Sequence, residues 1–265
     1  VRRYETEFIF NIIENATNSR IHEMLDTGRL PNQDENEFDF TLGDKMATRE
    51  VRALDKKTQI LRAARGVVMD GGFQELQMNA VASAAGIAVG TIYRYFPSRA
   101  ELCAAIVSTV SQREVDVLAG IAVAEGEPSQ KVRDAVRAFV LRAVRGRRLA
   151  YGLIFEPIDP EVESTRLKYR RAIARVFETI IKEGVAAGDF RDLDVEVAAT
   201  CLVGAFMEGL ISVLAPGAAG VPARTEAFAN SIADLCLAAV AKPGRSPAEQ
   251  RPAVGAAETI ALRKP

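Results

Sequence analysis

Thr91, Tyr93, Arg94 and Tyr95 crowd hydroxyl, guanidinium and aromatic groups into five residues. Such groups hold phosphate oxygens and read the edges of base pairs. They lie in the stretch Gln77-Met-Asn-Ala-Val-Ala-Ser-Ala-Ala-Gly86-Ile-Ala-Val-Gly-Thr-Ile-Tyr-Arg-Tyr-Phe-Pro97. Its pattern requires two short helices and a turn. Val81 and Ala82 fall on one side of the first helix, and Ile87, Ile92 and Tyr95 return apolar groups to that side after the reversal at Gly86. This is the spacing of a helix-turn-helix. A steep turn of three or four residues calls for a positive φ, which glycine adopts without the clash that a Cβ creates. Ala82 and Ala85 are small enough for the helices to cross closely.

The run from Ala85 to Arg99 closely resembles the recognition-helix signature of the TetR family of bacterial transcriptional repressors. Upstream, Ile60-Leu-Arg-Ala-Ala-Arg-Gly-Val-Val-Met-Asp-Gly-Gly-Phe73 resembles that family's first helix and the glycine turn closing it. The motif-level resemblance covers residues 56–105, and the remainder agrees by size and helical pattern.

A recognition helix presents its N-terminal side chains to the major groove. Val89, Thr91 and Arg94 are therefore expected at bases or their borders, and Gly90 lets the backbone come close. By the resemblance, Tyr93 is the phosphate-binding tyrosine, and Arg99 stands where the family has a phosphate-binding lysine. Tyr95 is included in the expected DNA-binding set, although with Phe96 it is also expected to tie the helix to the core. Gln77 stands where the family has a Ser or Thr cap that touches phosphate, and Ala88 replaces the usual Ser; both departures lose a good N-cap.

The elements that must position this surface read as all-α: an N-terminal three-helix helix-turn-helix domain followed by a larger helical ligand-binding and dimerisation domain. The expected division is an extension over 1–45, a DNA-binding domain over 46–104, an effector and dimerisation domain over 105–241 and a disordered tail over 242–265. Within the extension, Phe8 to Leu25 has the pattern of an amphipathic helix, and 32–44 is acidic and not expected to fold alone. Met46 is read as the native start, the alternative being an arm that packs on the protein or a partner. Ser98 with Glu101 forms a capping box for a helix over 98–118. Helices follow over 129–148, 161–187, 194–214 (capped by Asp194) and 225–241, with Gly188 as a C-cap and 151–155 a short apolar segment cut by Pro157 and Pro160.

The 265 residues carry a formal charge of only −1, with 5 Lys and Arg against 10 Asp and Glu in the first 45. DNA binding must then come from a local patch rather than from overall charge. Cys103, Cys201 and Cys236 are widely spaced among Ala and Leu, as expected of reduced helical thiols in a cytoplasmic protein. No signal-peptide core or membrane-length apolar run is recognised, and no membrane partner is expected. An enzyme is not expected: the one histidine, His22, lies in the extension, and no nucleophile motif, phosphate loop, cofactor motif or metal set is present. Asp189, Asp192 and Asp194 lack the glycine and distal glutamate of a calcium loop.

The resemblance further implies a homodimer joined through the last two long helices, 195–214 and 225–240. Ala198, Ala199, Gly204, Ala205, Gly209, Ala229 and Ala233 would allow close approach there. It also implies a small-molecule effector within the helical body, an apolar compound with one polar or anionic end. Candidate walls are Phe139, Arg142, Tyr151, Phe155, Tyr169, Phe177, Phe206 and Met207. The partners expected are thus a near-palindromic DNA operator, a second copy of the chain and an unidentified effector. The leading expectation is a repressor that the effector releases; a helical adaptor of the same fold without operator specificity is the alternative.

Overall fold

The computed structural model describes residues 40–218 and 224–242, with side chains from residue 53 onward. The chain separates into two units, 1–51 and 52–265. The expected helix over Phe8 to Leu25, His22 and the tail beyond Lys242 lie outside the described residues.

Ten α-helices are described: α1 Phe40–Gly71, α2 Met78–Ala85, α3 Val89–Tyr95, α4 Arg99–Val123, α5 Pro128–Gly146, α6 Arg148–Ile154, α7 Pro160–Ala186, α8 Val195–Glu208, α9 Ile211–Leu214 and α10 Thr225–Val240. A 3-10 turn at Phe73–Glu75 joins α1 to α2. Apart from an isolated antiparallel bridge between Phe190 and Ala241, no β-pairing is present among the described residues.

Local chemistry explains the punctuation. Gly86 adopts φ 65° and ψ 37° at the end of α2, the left-handed geometry expected of the turn. The Ser98 hydroxyl accepts from the Glu101 N–H at 3.1 Å, and Asp194 Oδ1 accepts from the Val197 N–H at 3.1 Å. Each satisfies one of the donors that a helix start leaves free. Gly188, φ 79°, follows the end of α7 as expected.

Four boundaries differ from expectation. Helix α4, expected to end at 118, runs on to Val123. The α1 helix begins at Phe40, so it includes Asp44, the last acidic residue of 32–44, and runs through Met46. The segment around Tyr151 is itself a helix, α6, because its prolines follow the helical run rather than interrupt it. The helix expected over 194–214 stops at Glu208, and α9 begins after Gly209 and Leu210.

Two cores form. One gathers Ile60, Ala64 and Val68 of α1 with Phe73, Val81, Ile92, Phe96, Leu102 and Ile106, and extends to Leu149 of α6 and Val162 of α7. The other fills the body between α4, α5, α7, α8 and α10, around Phe139, Phe177, Ile180, Phe206 and Leu237. The stretch 195–214 is long and apolar enough to cross a membrane by composition, contrary to the sequence reading, but just under half of it is buried in the body core. Its exposed side includes Val197, Gly204, Ala205 and Ile211.

Candidate nucleic-acid interface

The α2–α3 pair is held from both sides. Gly86 and Ile87 donate backbone N–H groups to the Ser83 and Ala82 carbonyls, closing the turn. From α1, the Gln59 side chain donates to the Ala85 carbonyl at 2.8 Å, and Lys56 in turn donates to Gln59 at 2.9 Å. The role of Gln59 was not legible in the sequence, since nothing local pairs it with a carbonyl 26 residues away.

On α3, Ile92 is fully buried and Phe96, just past the helix end, is 3% exposed, so the opposite face must look outward. Tyr93 is 50% exposed and Arg94 is exposed, while Thr91 is half-buried. The Arg94 guanidinium sits 5.3 Å from the centroid of the Tyr95 ring. That cation–π contact directs the charge along the helix surface. Val89 and Tyr95 pack partly against the core of this domain and so support the helix. Gly90 is exposed, and a Cβ there would meet nothing within 4 Å.

Gln77 and Ala88 provide no side-chain cap to α2 and α3. The Gln77 amide donates back to the Gln74 carbonyl at 3.3 Å. The leading N–H groups of both helices therefore lack the side-chain acceptor that a Ser or Thr would supply.

Arg99 makes contacts that the sequence reading did not include. Its guanidinium turns inward: Nε donates to the Leu76 carbonyl at 2.8 Å, Nη2 to the Phe73 carbonyl at 2.6 Å, and Nη1 pairs with Asp159 at 3.0 Å. A side chain with three such commitments ties the start of α4 to the 3-10 turn, to Leu76 and to Asp159.

The expected effector wall separates into parts. Phe139, Phe177 and Phe206 form one aromatic cluster, with ring centroids 4.9 Å apart for Phe139 and Phe206 and 5.5 Å for Phe177 and Phe206. Met207, also buried, belongs to the same core. Tyr151 and Phe155 form a second, half-buried pair at 5.8 Å. Tyr169 is half-buried, with Lys168 5.8 Å from its ring centroid. Arg142 is engaged by both carboxylate oxygens of Glu114, at 2.7 and 2.8 Å, and this bond raises its pKa. Its charge is thus already paired in this structure. Of the small residues expected at a helix interface, Ala199, Ala229 and Ala233 are buried within the chain, whereas Gly204, Ala205 and Gly209 are exposed. Among the described residues, no group of three or more His, Cys, Asp or Glu is placed to hold a metal ion.

Residues 60–106, the segment that folds into this helix-turn-helix, match the model of bacterial regulatory proteins, tetR family, and residues 125–208 match that of the tetracyclin repressor-like C-terminal domain. The chain belongs to the tetR family. Its similarity to curated TetR-family relatives is local: it is 36% identical over 78 residues to the HTH-type transcriptional repressor KstR of Mycolicibacterium smegmatis, which is 29% of this chain and 38% of that protein. Against KstR of Mycobacterium tuberculosis it is 46% identical over 48 residues, 18% of this chain and 22% of that one. The matches thus span well under half of either relative. At the level of fold, the transcriptional regulator FadR from Bacillus subtilis, solved with stearoyl-CoA, superposes with a TM-score of 0.61 at 19% identity, covering 69% of this chain and 98% of that one. FadR from Bacillus halodurans gives 0.61 at 22% identity, covering 69% and 94%. RolR with resorcinol gives 0.54 at 17%, covering 72% and 90%.

Proposed function

We propose that this chain is a DNA-binding transcriptional regulator controlled by a small molecule, acting as a homodimeric repressor in the cytoplasm. The observation that carries the reading is the polarity of α3: Ile92 and Phe96 are buried while Tyr93 and Arg94 are presented outward, on a helix fixed by the left-handed Gly86. Arg94 and Thr91 read bases, Tyr93 holds phosphate, and Val89, Gly90 and Tyr95 set the depth and angle of docking. Arg99 contributes by holding the domain together.

The dimer reading is supported by an apolar surface on the last two long helices. Val197 is 57% and Leu235 is 68% exposed, and Cys201, Gly204 and Ala205 are also exposed on α8. Two copies burying this surface form a four-helix contact. Two reading helices then meet successive major grooves about 34–36 Å apart on a near-palindromic site.

The effector is proposed to be an apolar or amphipathic compound lodged among the aromatic side chains of the body, from Tyr151 and Phe155 toward Phe139, Phe177 and Phe206. Stearoyl-CoA in the structurally similar Bacillus subtilis FadR supports an acyl class of ligand. An effector that binds the wider dimer better withdraws the protein from DNA, and DNA weakens the effector by the same factor.

Selection of random duplexes by the purified protein, with the enriched sequences retested at two salt concentrations, tests the reading. A recurring palindrome with steep salt dependence is expected. An intact dimer that enriches no sequence refutes operator binding and leaves the adaptor.

A further inference from the structure

Helix α6 belongs to both cores at once. Leu149 is buried with the core of the DNA-reading domain, and Leu153 packs against it, while Ala150, Tyr151, Ile154 and Phe155 pack on the core of the body. The chain enters α6 through Arg147, with φ 35° and ψ −101°, the single non-glycine residue with positive φ among the described residues. A side chain held there stores strain that the surrounding packing must offset.

The far end of α6 grips the other domain. Glu156 is 3% exposed, yet its carboxylate faces the 3-10 turn, accepting the Phe73 N–H at 3.2 Å and the Gln74 N–H at 3.1 Å. Arg148, from the first turn of α6, donates to the Gly71 carbonyl at 2.8 Å. Arg166 of α7 donates to the carbonyls of Gly152 and Glu156, fixing the backbone that carries the acid. The fit leaves no slack. A Cβ on Gly72, φ 85°, would come within 2.9 Å of both the Arg148 guanidinium and the Glu156 carboxylate, and one on Gly152 would meet the Phe73 ring at 2.9 Å. The turn so held leads through Leu76 directly into α2.

We infer that Glu156 is the positioning residue through which α6 acts as a lever: displacement of its Tyr151–Phe155 side by an occupant of the body travels through the carboxylate to the Phe73–Gln74 amides and so to α2 and α3. This rests on the proposed regulator reading. It adds the residue that couples the two domains. A buried carboxylate that accepts from two adjacent backbone donors ties its own backbone to theirs in a close-packed site, so movement at one end is passed to the other.

Reciprocity supplies a test that needs no effector. Amide hydrogen exchange is followed across 149–156 in the full-length protein, with and without a duplex obtained by selection. In the wild type, duplex should slow exchange in α6 by about tenfold, within the usual range of coupling free energies. Glu156→Gln keeps the size of the side chain but cannot accept both N–H groups equally; it should still bind the duplex while the slowing in α6 falls below about twofold. Gly72→Ala loosens the same grip from the other side and should reproduce this result, should Glu156→Gln not fold. Wild-type protein that binds duplex with α6 exchange unmoved overturns the lever alone, as does either folded variant that keeps the full tenfold response. Wild-type protein that binds no duplex overturns the regulator reading and the lever with it.

Discussion

Replacing Arg99 by alanine separates a structural tie from a DNA contact. In the structure the guanidinium serves the carbonyls of Leu76 and Phe73, residues that are 0% and 1% exposed, and pairs with Asp159. A buried acceptor left without its donor costs about 1–3 kcal/mol, a penalty that falls on the Leu76 carbonyl, because the Phe73 carbonyl keeps the Leu76 N–H at 3.2 Å. The Asp159 pair adds little, because its side chains are 31% and 46% exposed and solvent screens them, so at most about 1 kcal/mol is assigned to it. The Leu76 and Phe73 carbonyls share one region, and water reaches the partly exposed site once the side chain is gone. Arg99→Ala should therefore destabilise the fold by about 2–4 kcal/mol. At about 2–4 °C per kcal/mol for a chain of this size, the melting temperature should fall by about 5–15 °C. Circular dichroism during heating measures this. Measured below the transition, the dependence of the DNA affinity on salt should keep its slope, whereas loss of a phosphate contact lowers the slope by about 1. Arg99→Lys should recover little stability, because an ammonium cannot fork toward two carbonyls and a carboxylate in the guanidinium geometry. A slope reduced by about 1 with an unchanged melting temperature would refute the inward assignment.

Further outcomes are expected. Arg94→Ala should relax base preference at one position of each half-site, by about 1–3 kcal/mol if the contact is bidentate, with the melting temperature unchanged; competition between single-base variants of the selected duplex reads this. Leu235→Glu places a charge on the exposed apolar surface of α10 and should yield folded monomers by light scattering, with operator affinity lost. Burial raises the Cys103 and Cys236 thiols from 9.0 to about 11 in the fold. The unfolded chain ionises them first, so the stability that they contribute is complete below about pH 9 and is lost as the pH rises to 11. The decline in urea stability over that interval should be shallower in Cys103→Ala and Cys236→Ala, compared with wild type.

Much of the reading end was legible because local rules decide it. A glycine at the reversal, apolar residues repeating on one side of two short helices and a serine three residues before a glutamate each state their geometry within a few positions, and Gly86 and Ser98 adopt it. Long-range partners were not legible. Arg99 stands where a phosphate-binding cation belongs, and no spacing in the chain reveals that the Leu76 carbonyl, 23 residues upstream, and Asp159, 60 residues downstream, converge on it. Glu156 carried a faint signal, an acid in an otherwise apolar run before a proline, but burial without a lysine or arginine as its direct partner could not be inferred from its neighbours. Small residues on α8 and α10 were ambiguous for another reason: alanine serves a close contact inside the chain as well as one between chains, and only the fold separates buried Ala199 from exposed Ala205. The aromatic side chains of the body share that ambiguity, since a ring in a core and a ring against a ligand follow the same helical period.

The membership of Leu149 and Val162 in the core around Ile60 and Phe73 bears on how this protein can be taken apart. A fragment ending soon after α3 would present to water the apolar surface that those two residues cover, and the Phe73 and Gln74 amides would lose their acceptor. The reading head is therefore not a cassette that can be exchanged with a relative by cutting and joining near residue 104. A chimera meant to pair these DNA contacts with another sensor must carry residues 148–162 along with the head, or redesign the recipient's matching surface to receive it.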